Sequence, residues 1–223
     1  MNNLTGLNLS GKTYLKYLDC SNNLISGINL NNCSNITGLY MQNNNLSGEC
    51  NLSEFPNISG VNISNNEFTR VIASGLPNLN YLYASGNDIS GINLSGSVNI
   101  SGLNLSDNQL SGNLNLTEFK NLNEINVSNN SLSGINVTGL EKLITFNADN
   151  NYITGLDFFG TTNVRLISAS GNSMTGYSNI IDNMTGLVAV NLAGNNFTNI
   201  GTLLYWLTGY YGSEVFAYGI FKL

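Results

Sequence analysis

Residues 6–13 form a motif that could bind a nucleotide. The segment Gly6-Leu7-Asn8-Leu9-Ser10-Gly11-Lys12-Thr13 matches the phosphate-loop pattern G-x-x-x-x-G-K-(S/T) at every position. In that loop, a buried strand leads into a helix whose N-terminal amides hold the phosphates. Only five residues precede Gly6, and a strand pattern rather than a helical one follows Thr13. We therefore expect no nucleotide at this motif and no cofactor in the chain.

Acidic side chains and cysteines are the remaining candidates for chemistry. The chain has no histidine, so general acid–base catalysis would need paired carboxylates, and its 13 acidic residues are scattered among turn and return positions without a calcium-loop pattern. Cys20, Cys33 and Cys50 lack the spacing of metal ligands. We expect them to be unpaired, with Cys20 in the core. The sequence predicts no catalytic residue, no metal site and therefore no enzyme.

The charge balance argues against one class of partner. Charged residues make up 9% of the 223 residues, and the formal net charge is -6. Affinity for nucleic acid comes chiefly from clustered lysine and arginine, and this sequence has no such clusters. Asparagine makes up roughly a fifth of the chain, so neutral polar side chains must provide most of the hydrated surface. We expect no nucleic-acid partner.

Targeting signals and glycosylation sequons bear on the compartment. The sequence has no run of 18 apolar residues and no leader of signal-peptide type, which predicts neither export nor insertion into a membrane. Asn-x-Ser/Thr recurs at many positions, among them Asn8, Asn62, Asn104, Asn126 and Asn136, where glycans would cover a packed face. We expect a bacterial or viral protein, in the cytoplasm or in a virion, rather than cargo of a eukaryotic secretory pathway.

A block of 21 to 23 residues recurs nine times along the chain. An asparagine fixes its phase, at Asn23, Asn44, Asn66, Asn87, Asn108, Asn130, Asn151, Asn172 and Asn195. Each copy follows the pattern L-x-x-L-x-L-x-x-N-x-L, as in Ile100, Leu103, Leu105, Asn108 and Leu110. This period indicates a stack of similar coils.

Each block predicts a short strand, a sharp turn and a return segment. Apolar residues two apart place alternate side chains inward, and copies one coil apart then pair as a parallel sheet. We expect the repeated asparagine to satisfy backbone groups inside the turn, as a structural ladder. The return half of each block is too short for a long helix, so we expect extended or short 3₁₀ return segments.

These repeats resemble the leucine-rich-repeat family over about nine tenths of the chain. The resemblance implies a solenoid with a parallel β-sheet on one face, extended or 3₁₀ return segments on the other, and little α-helix. The repeat length is closer to bacterial members. The Leu-Ser-Gly triplet of the return segment is similar to plant members but lacks their following proline, so the subclass stays open.

The repeat pattern predicts two regions. We predict that residues 1–199 form the solenoid. The solenoid starts in mid-repeat, because Leu4, Leu7 and Leu9 align with residues of the later return segments. The ends of a solenoid need covering, so the chain is either a piece of a longer array or its first coil docks on another subunit or domain. Residues 200–223 are rich in aromatic side chains, and we predict that they form a C-terminal cap or a docking segment. Within this segment we expect a short helix at 200–207 and a strand at 214–223.

The outward side chains of the predicted sheet are the candidate binding residues, and they become less aromatic along the chain. The candidates are Tyr17, Asp19, Tyr40, Tyr81, Tyr83, Asn62, Asn104 and Glu124. Tyrosine combines rigid apolar area with a polar tip, which suits a contact with a protein. Its rings would equally stack on the C–H faces of a surface glycan. Sheets also favour tyrosine when no ligand binds.

Recognition is the function that the sequence favours. We predict a non-catalytic binding module that recognises a protein partner through the exposed face of the sheet. One alternative is a structural or receptor-binding component of a phage virion or a cell surface, with a glycan as ligand. The other alternative is a structural spacer without a ligand.

Overall fold

The computed structural model describes residues 2–176, 184, 186–197 and 216–218. In this part of the chain, every regular element is a β-strand, and no helix is long and apolar enough to cross a bilayer. The chain divides into two units, Met1–Leu110 and Ser111–Leu223, which we call unit 1 and unit 2.

Unit 1 contains a main sheet built from one short strand per coil. Its strands are β2 (Tyr17–Asp19), β4 (Gly38–Tyr40), β6 (Gly60–Asn62), β8 (Tyr81–Tyr83) and β10 (Gly102–Asn104). They lie side by side in this order, and every pair is parallel. The register is strict, because Gly38 pairs with Tyr17 on one side and with Gly60 on the other.

The return segments of unit 1 are also extended. They contain β1 (Gly6–Asn8), β3 (Gly27–Asn29), β5 (Ser47–Asn51), β7 (Glu67–Ile72) and β9 (Gly91–Asn93). Strand β1 pairs in parallel with β3, and β5, β7 and β9 form a second return sheet. The phosphate-loop motif therefore begins in a return strand, and turns rather than a helix follow it.

Unit 2 repeats this arrangement. Its main strands are β12 (Glu124–Asn126), β14 (Thr145–Asn147), β15 (Leu166–Ser168), β16 (Ala189–Asn191) and β17 (Phe216–Tyr218), paired in parallel in that order. Its return strands are β11 (Ser111–Asn115) and β13 (Ser131–Asn136). The parallel main sheets and extended return segments confirm the predicted solenoid architecture. Strand β17 lies inside the predicted strand at 214–223, whereas the helix predicted at 200–207 lies outside the described residues.

Alternation along each main strand produces the core. The central residue points inward and is buried, as in Leu39, Val61 and Leu82 of unit 1 and Ile125 and Phe146 of unit 2. Full burial of one such side chain contributes about 1.5–3 kcal/mol. A single coil cannot bury this row alone, so its stability comes from the neighbouring coils.

The repeated asparagine joins the strand to the turn of its own coil and to the neighbouring coils. Asn66 is buried, and its Nδ2 donates to the carbonyl oxygens of Met41 at 3.0 Å and Ile63 at 3.1 Å. Its Oδ1 accepts from the backbone N–H of Leu46 at 3.0 Å. The equivalent contacts with earlier coils recur at Asn44, Asn87 and Asn108 in unit 1 and at Asn151, Asn172 and Asn195 in unit 2.

The residue before each inward asparagine adopts a left-handed conformation. Asn22, Asn43 and Asn65 have φ between 55° and 58°. This region favours asparagine, aspartate and glycine, and the corresponding later residues are Gly86, Asp107, Asn129, Asn150, Gly171 and Gly194. The side chains of the first three also form a chain, because Asn43 Nδ2 donates to Asn22 Oδ1 and Asn65 Nδ2 donates to Asn43 Oδ1, both at 2.8 Å.

A glycine absorbs the extra residue of the longer coils. The block from Asn44 to Asn66 is one residue longer than the block before it, and the register of β5 with β7 shifts between Gly48 and Glu49. Gly48 has a φ of 80°, which a residue with a side chain rarely adopts. Gly112 has the same role in β11. The coil length therefore varies without disturbing the main sheet.

Candidate functional site

Four tyrosines occupy one face of the main sheet in unit 1. Tyr17 comes from β2, Tyr40 from β4, and Tyr81 and Tyr83 from β8. They point outward because Leu18, Leu39 and Leu82 next to them point into the core. We call this group the tyrosine strip.

The tyrosine strip is continuous across the strands. The ring centroids of Tyr17 and Tyr40 are 5.0 Å apart with an interplanar angle of 35°, and those of Tyr81 and Tyr83 are 5.4 Å apart at 33°. The hydroxyls of Tyr40 and Tyr81 contact each other over β6, which lies between their strands. Aromatic pairs of this kind contribute about 0.5–1.5 kcal/mol beyond their buried area.

Glycines in the neighbouring strands make room for the rings. A Cβ atom on Gly38 would lie 2.8 Å from Cδ2 of Tyr17, and a Cβ on Gly60 would collide with the ring of Tyr81. A Cβ on Gly102 would lie 3.4 Å from the Tyr83 hydroxyl oxygen. The tyrosines therefore lie along the sheet, over the glycines, instead of standing out from it.

The strip remains partly accessible, and the pKa values of two of its phenols are raised. Tyr17 is 59% exposed, and the other three tyrosines are half-buried. The hydrogen bond with Tyr81, followed by burial, raises the pKa of the Tyr40 phenol above its ordinary value of 10.0. Desolvation, followed by the effect of Tyr40, raises the pKa of Tyr17. At neutral pH these two residues therefore present neutral rings and hydroxyls.

The candidate polar residues of unit 1 end their strands with a side-chain cap. Oδ1 of Asp19 accepts from the backbone N–H of Ser21 at 3.0 Å, and Oδ1 of Asn62 and of Asn104 accepts from the residue two positions later at 3.1 Å. Asx turns of this kind fix the amide orientation. The side-chain Oδ1 atoms of Asn62 and Asn104 thus have a structural role. Their Nδ2 groups remain as hydrogen-bond donors on the outward face.

Gln42 is a residue that our sequence reasoning did not select. It lies two positions after Tyr40, and its Oε1 is buried without a hydrogen-bond partner in the described part of the chain. An unsatisfied buried acceptor usually costs about 1–3 kcal/mol. The only signal in the sequence is that a glutamine stands where Ser21 and Ser64 occupy the neighbouring coils.

Glu124 does not share the contacts of the strip. It is exposed at the start of β12 in unit 2, whereas the other candidates all lie in unit 1. We therefore define the candidate site by the tyrosine strip with Asn62, Asn104 and Gln42.

Several donors hold one acidic side chain of unit 2. Asp149 in unit 2 accepts hydrogen bonds from the Ser168 hydroxyl at 2.7 Å, from the Ser170 backbone N–H at 2.6 Å and from the Ser170 hydroxyl at 2.8 Å. A carboxylate with this many donors is held as a structural acceptor rather than as a base. Among the described residues, no group of three or more His, Cys, Asp or Glu side chains could hold a metal ion.

The cysteines are buried free thiols. Cys20, Cys33 and Cys50 are all at most 6% exposed. Burial raises the pKa of Cys20 to about 11 and that of Cys50 to about 12. Because the thiolate is the reactive form, neither thiol is a nucleophile at neutral pH.

Comparison with known proteins identifies the repeats. The family model described as Leucine Rich Repeat matches residues 14–36 and 121–143. No curated protein matches the chain in sequence.

Solved structures share the fold. The functional domain of InlJ from Listeria monocytogenes, which includes a cysteine ladder, is 26% identical at a TM-score of 0.78, and the match covers 86% of this chain and 42% of that one. The leucine-rich effector YopM from Yersinia pestis is 20% identical with a TM-score of 0.62, covering 88% and 65%. The ectodomain of the plant receptor kinase GASSHO1/SCHENGEN3 from Arabidopsis thaliana, in complex with CASPARIAN STRIP INTEGRITY FACTOR 2, is 20% identical with a TM-score of 0.70, covering 97% and 32%.

The chain spans less than two thirds of the length of each of these three structures. The similarity nevertheless extends over most of the chain itself, and it agrees with the repeat period, the parallel main sheets and the inward asparagines. Two segments of the chain thus match the Leucine Rich Repeat family, and the fold is that of leucine-rich-repeat solenoids with short repeats.

Proposed function

We propose that unit 1 is a non-catalytic module that binds a protein partner through the tyrosine strip. The observation that carries the proposal is the continuous arrangement of four tyrosines over glycines on an outward sheet face. Tyrosine buries a large apolar area with little loss of side-chain entropy, and it is enriched among the residues that dominate protein interfaces.

The dimensions of the strip suit the centre of such an interface. From β2 to β8 it crosses three strand spacings, which amounts to about 14 Å. Energetically dominant contacts cluster at the centre of an interface, and surrounding polar residues exclude water from them. Asn104 in β10 lies next to Tyr83 at the edge of the strip and can form part of this polar zone, whereas Asn62 in β6 lies between Tyr40 and Tyr83.

The polar groups indicate what the partner must offer. The Nδ2 atoms of Asn62 and Asn104 need acceptors, and the Oε1 of Gln42 needs a donor. The backbone of a protein segment supplies both kinds of group. Because the Gln42 oxygen is buried in the free protein, its side chain must rotate toward the partner, and binding would then remove the cost of the unsatisfied acceptor.

Leucine-rich repeats are typical protein-interaction modules, which supports the proposal at the level of the family. The plant receptor ectodomain is one such case, because its structure contains a second protein. Proteins of this family are generally scaffolds for binding rather than enzymes, in keeping with a site made of neutral tyrosines and amides.

A comparison of tyrosine variants tests the proposal. The protein, Tyr17→Ala and Tyr40→Ala are used to capture partners from an extract of the source organism, and the captured protein is then purified and titrated against each by calorimetry. Tyr14→Ala is the matched control, because Tyr14 is 94% exposed but lies outside the strip. We expect at least a tenfold loss of affinity for the two strip variants and none for the control.

Two outcomes would contradict this function. Equal affinity for all four proteins would remove the strip from the interface. A glycan bound by the protein and lost in Tyr40→Ala, with no protein partner, would favour a glycan receptor instead. If no ligand of either kind is captured, the role of a structural spacer gains support.

A further inference from the structure

A groove of about 550 Å³ lies on the return side of unit 2. It is formed by β13 and by the next return segment, residues 154–157. Its volume is within the range of small-molecule sites. None of the tyrosine-strip residues lines it.

Glycines form the floor of the groove. Gly134 and Gly155 occupy equivalent positions in successive coils, so no side chain fills the space above them. A Cβ on Gly155 would meet no atom within 4 Å. At Gly134, a Cβ would lie 2.9 Å from Oδ1 of Asn113, so this amide covers one end of the floor.

The main-chain pairing opens along the groove. Tyr152 N–H donates to the Leu132 oxygen at 2.9 Å, and Gly139 N–H donates to the Phe159 oxygen at 2.8 Å. Between these two bonds, no backbone hydrogen bond joins residues 133–137 to residues 154–157. The return strand is therefore held at both ends and open in the middle.

Two phenylalanines pack in the core of the coil that contains residues 154–157. The rings of Phe146 and Phe158 pack edge to face in the core, with centroids 5.0 Å apart and an interplanar angle of 84°. The coil before it has Ile125 and Val137 at the equivalent positions. Aromatic rings therefore fill the core of this coil, where the coil before it has aliphatic side chains.

One wall of the groove presents a donor and an acceptor in adjacent coils. Oδ1 of Asn136 accepts from the backbone N–H of Thr138 at 3.1 Å and from its hydroxyl at 2.9 Å, which leaves Nδ2 as the donor. Oδ1 of Asp157 accepts from the Phe159 N–H at 2.8 Å, which leaves its second oxygen as the acceptor. The two side chains occupy equivalent positions in adjacent coils. Adjacent hydroxyls of a sugar can satisfy such a pair, because each hydroxyl both donates and accepts.

The rest of the lining favours an uncharged, hydroxyl-rich ligand. Ser133 and Thr154 supply exposed hydroxyls, and no basic side chain lines the groove, so the lining offers nothing to pair with a phosphate or an acidic sugar. Tyr152 is 63% exposed and Phe159 is 78% exposed, each two residues beyond the 154–157 segment. Exposed rings at the two ends of a polar segment can stack on the C–H faces of sugar rings.

We propose that this groove is a binding site for a neutral oligosaccharide. It lies outside the tyrosine strip and does not depend on the protein-binding function. Asn136 and Asp157 orient the sugar by its hydroxyls, and the glycine floor lets the ring approach the backbone closely.

Isothermal titration tests this site with defined probes. The panel contains neutral oligosaccharides of four to six units built from glucose, mannose, galactose or N-acetylglucosamine, and a neutral Gly-Ser peptide of similar length. Gly155→Val fills the floor without a steric conflict at its Cβ. Asp157→Asn keeps the cap of Phe159 and replaces the free acceptor by a donor. Gly27→Val is the matched control, since Gly27 is a return-strand glycine of unit 1 whose Cβ would also meet nothing within 4 Å.

We expect at least one oligosaccharide to bind, with a loss of tenfold or more in Gly155→Val and Asp157→Asn and no change in Gly27→Val or Tyr40→Ala. The inference is overturned if no sugar of the panel binds. It is also overturned if only the peptide binds, or if sugar binding survives Gly155→Val and is lost in Tyr40→Ala. The Tyr40→Ala result separates this site from the protein-binding strip, so either proposal can fail alone.

Discussion

Asparagine has three different tasks in this protein, and its position in the repeat decides which one it performs. The inward residue, such as Asn66, donates to buried carbonyls. The residue before it, such as Asn65, adopts a left-handed conformation. The outward residue, such as Asn62, caps the end of its strand. The high asparagine content therefore follows from backbone geometry as much as from surface polarity.

The first prediction concerns the inward asparagine. Asn66→Ala leaves the Leu46 N–H without its partner and removes one of the two donors of the Met41 carbonyl, which keeps Asn44 Nδ2, so it should lower the free energy of unfolding by about 1–3 kcal/mol. Urea denaturation followed by circular dichroism measures the change. Asn45→Ala is the control, because Asn45 is exposed and next in sequence to another inward asparagine, and it should change stability by less than about 0.5 kcal/mol. Equal effects of the two changes would refute the buried role.

The second prediction separates stability from binding at Gln42. Replacing an unsatisfied buried oxygen by an apolar group removes a desolvation cost, so Gln42→Leu should leave the free energy of unfolding unchanged or raise it by about 1 kcal/mol. The same change should weaken partner binding, because the acceptor is gone. Thermal unfolding and calorimetric titration are the two measurements. Loss of stability with intact binding would mean that Gln42 serves the fold and not the site.

The third prediction concerns the buried thiol of Cys50. Burial, followed by the charge of Glu49, raises its pKa from 9.0 to about 12. Below pH 9, the thiol is protonated in both the folded and the unfolded state. Between pH 9 and pH 12, only the unfolded state ionises, so stability falls as the pH rises. At pH 11 this loss should be about 3 kcal/mol.

Urea unfolding of the protein and of Cys50→Ala at pH 8 and pH 11 measures this contribution. The variant lacks the thiol, so its stability should fall by less over the same interval. Parallel pH dependences would show that Cys50 does not contribute.

At the scale of the elements, the strip depends on glycines as much as on tyrosines. A short strand with a central apolar residue turns its two neighbours outward, and in β8 both are tyrosines. Their rings fit over Gly60 and Gly102 because those positions have no side chain. An aromatic residue beside glycines of the same row is thus a sequence signal for a ring that lies along the sheet.

The fourth prediction tests this dependence in β6. In Gly60→Ala, the new methyl group displaces Tyr81 and separates its hydroxyl from that of Tyr40. We expect at least a tenfold loss of partner affinity, with a decrease in stability of about 1–2 kcal/mol. Gly27→Ala in β3 should change neither quantity, because its Cβ would have no close neighbour. Retained affinity in Gly60→Ala would mean that the arrangement of Tyr81 is irrelevant to binding.

Much of the fold could be predicted at this scale, and the reason is periodicity. Apolar residues two apart, repeated every 21 to 23 residues, predict parallel main strands and extended return segments, and both are confirmed. The left-handed residue before each inward asparagine was missed, although Asn22, Asp107 and Gly86 all belong to the few types that tolerate it. In the repeat pattern, the position before the inward asparagine is variable. The pattern therefore does not show that the backbone at this position is left-handed.

The candidate site could be predicted only in outline. The sequence places the tyrosines on one face, but the contact between Tyr40 and Tyr81 depends on side-chain orientations across an intervening strand. The occupied Oδ1 of Asn104 and the unsatisfied Oε1 of Gln42 depend on local geometry of a few tenths of an ångström. The period of the sequence carries no information of that precision.

At the scale of the whole molecule, two surfaces of different chemistry occur in two separate units. The strip of unit 1 is aromatic and shallow, whereas the groove of unit 2 is polar and floored by glycine. In successive coils of unit 1, tyrosines and glycines take the place of polar outward residues, and in unit 2 glycines at equivalent positions of two coils leave space on the return side. A regular scaffold thus acquires distinct surfaces through local exceptions to its repeat.

The measurement that tests the central claim most directly is site-specific photocrosslinking in an extract of the source organism. A benzophenone amino acid replaces Tyr17 in the strip or, as a control, Val98, which is 42% exposed in a turn of unit 1. We predict that a discrete protein adduct forms from position 17 and not from position 98, and that Tyr40→Ala in the same chain abolishes it. An adduct formed equally from both positions, or from position 98 alone, would contradict the assignment of the tyrosine strip as the binding surface.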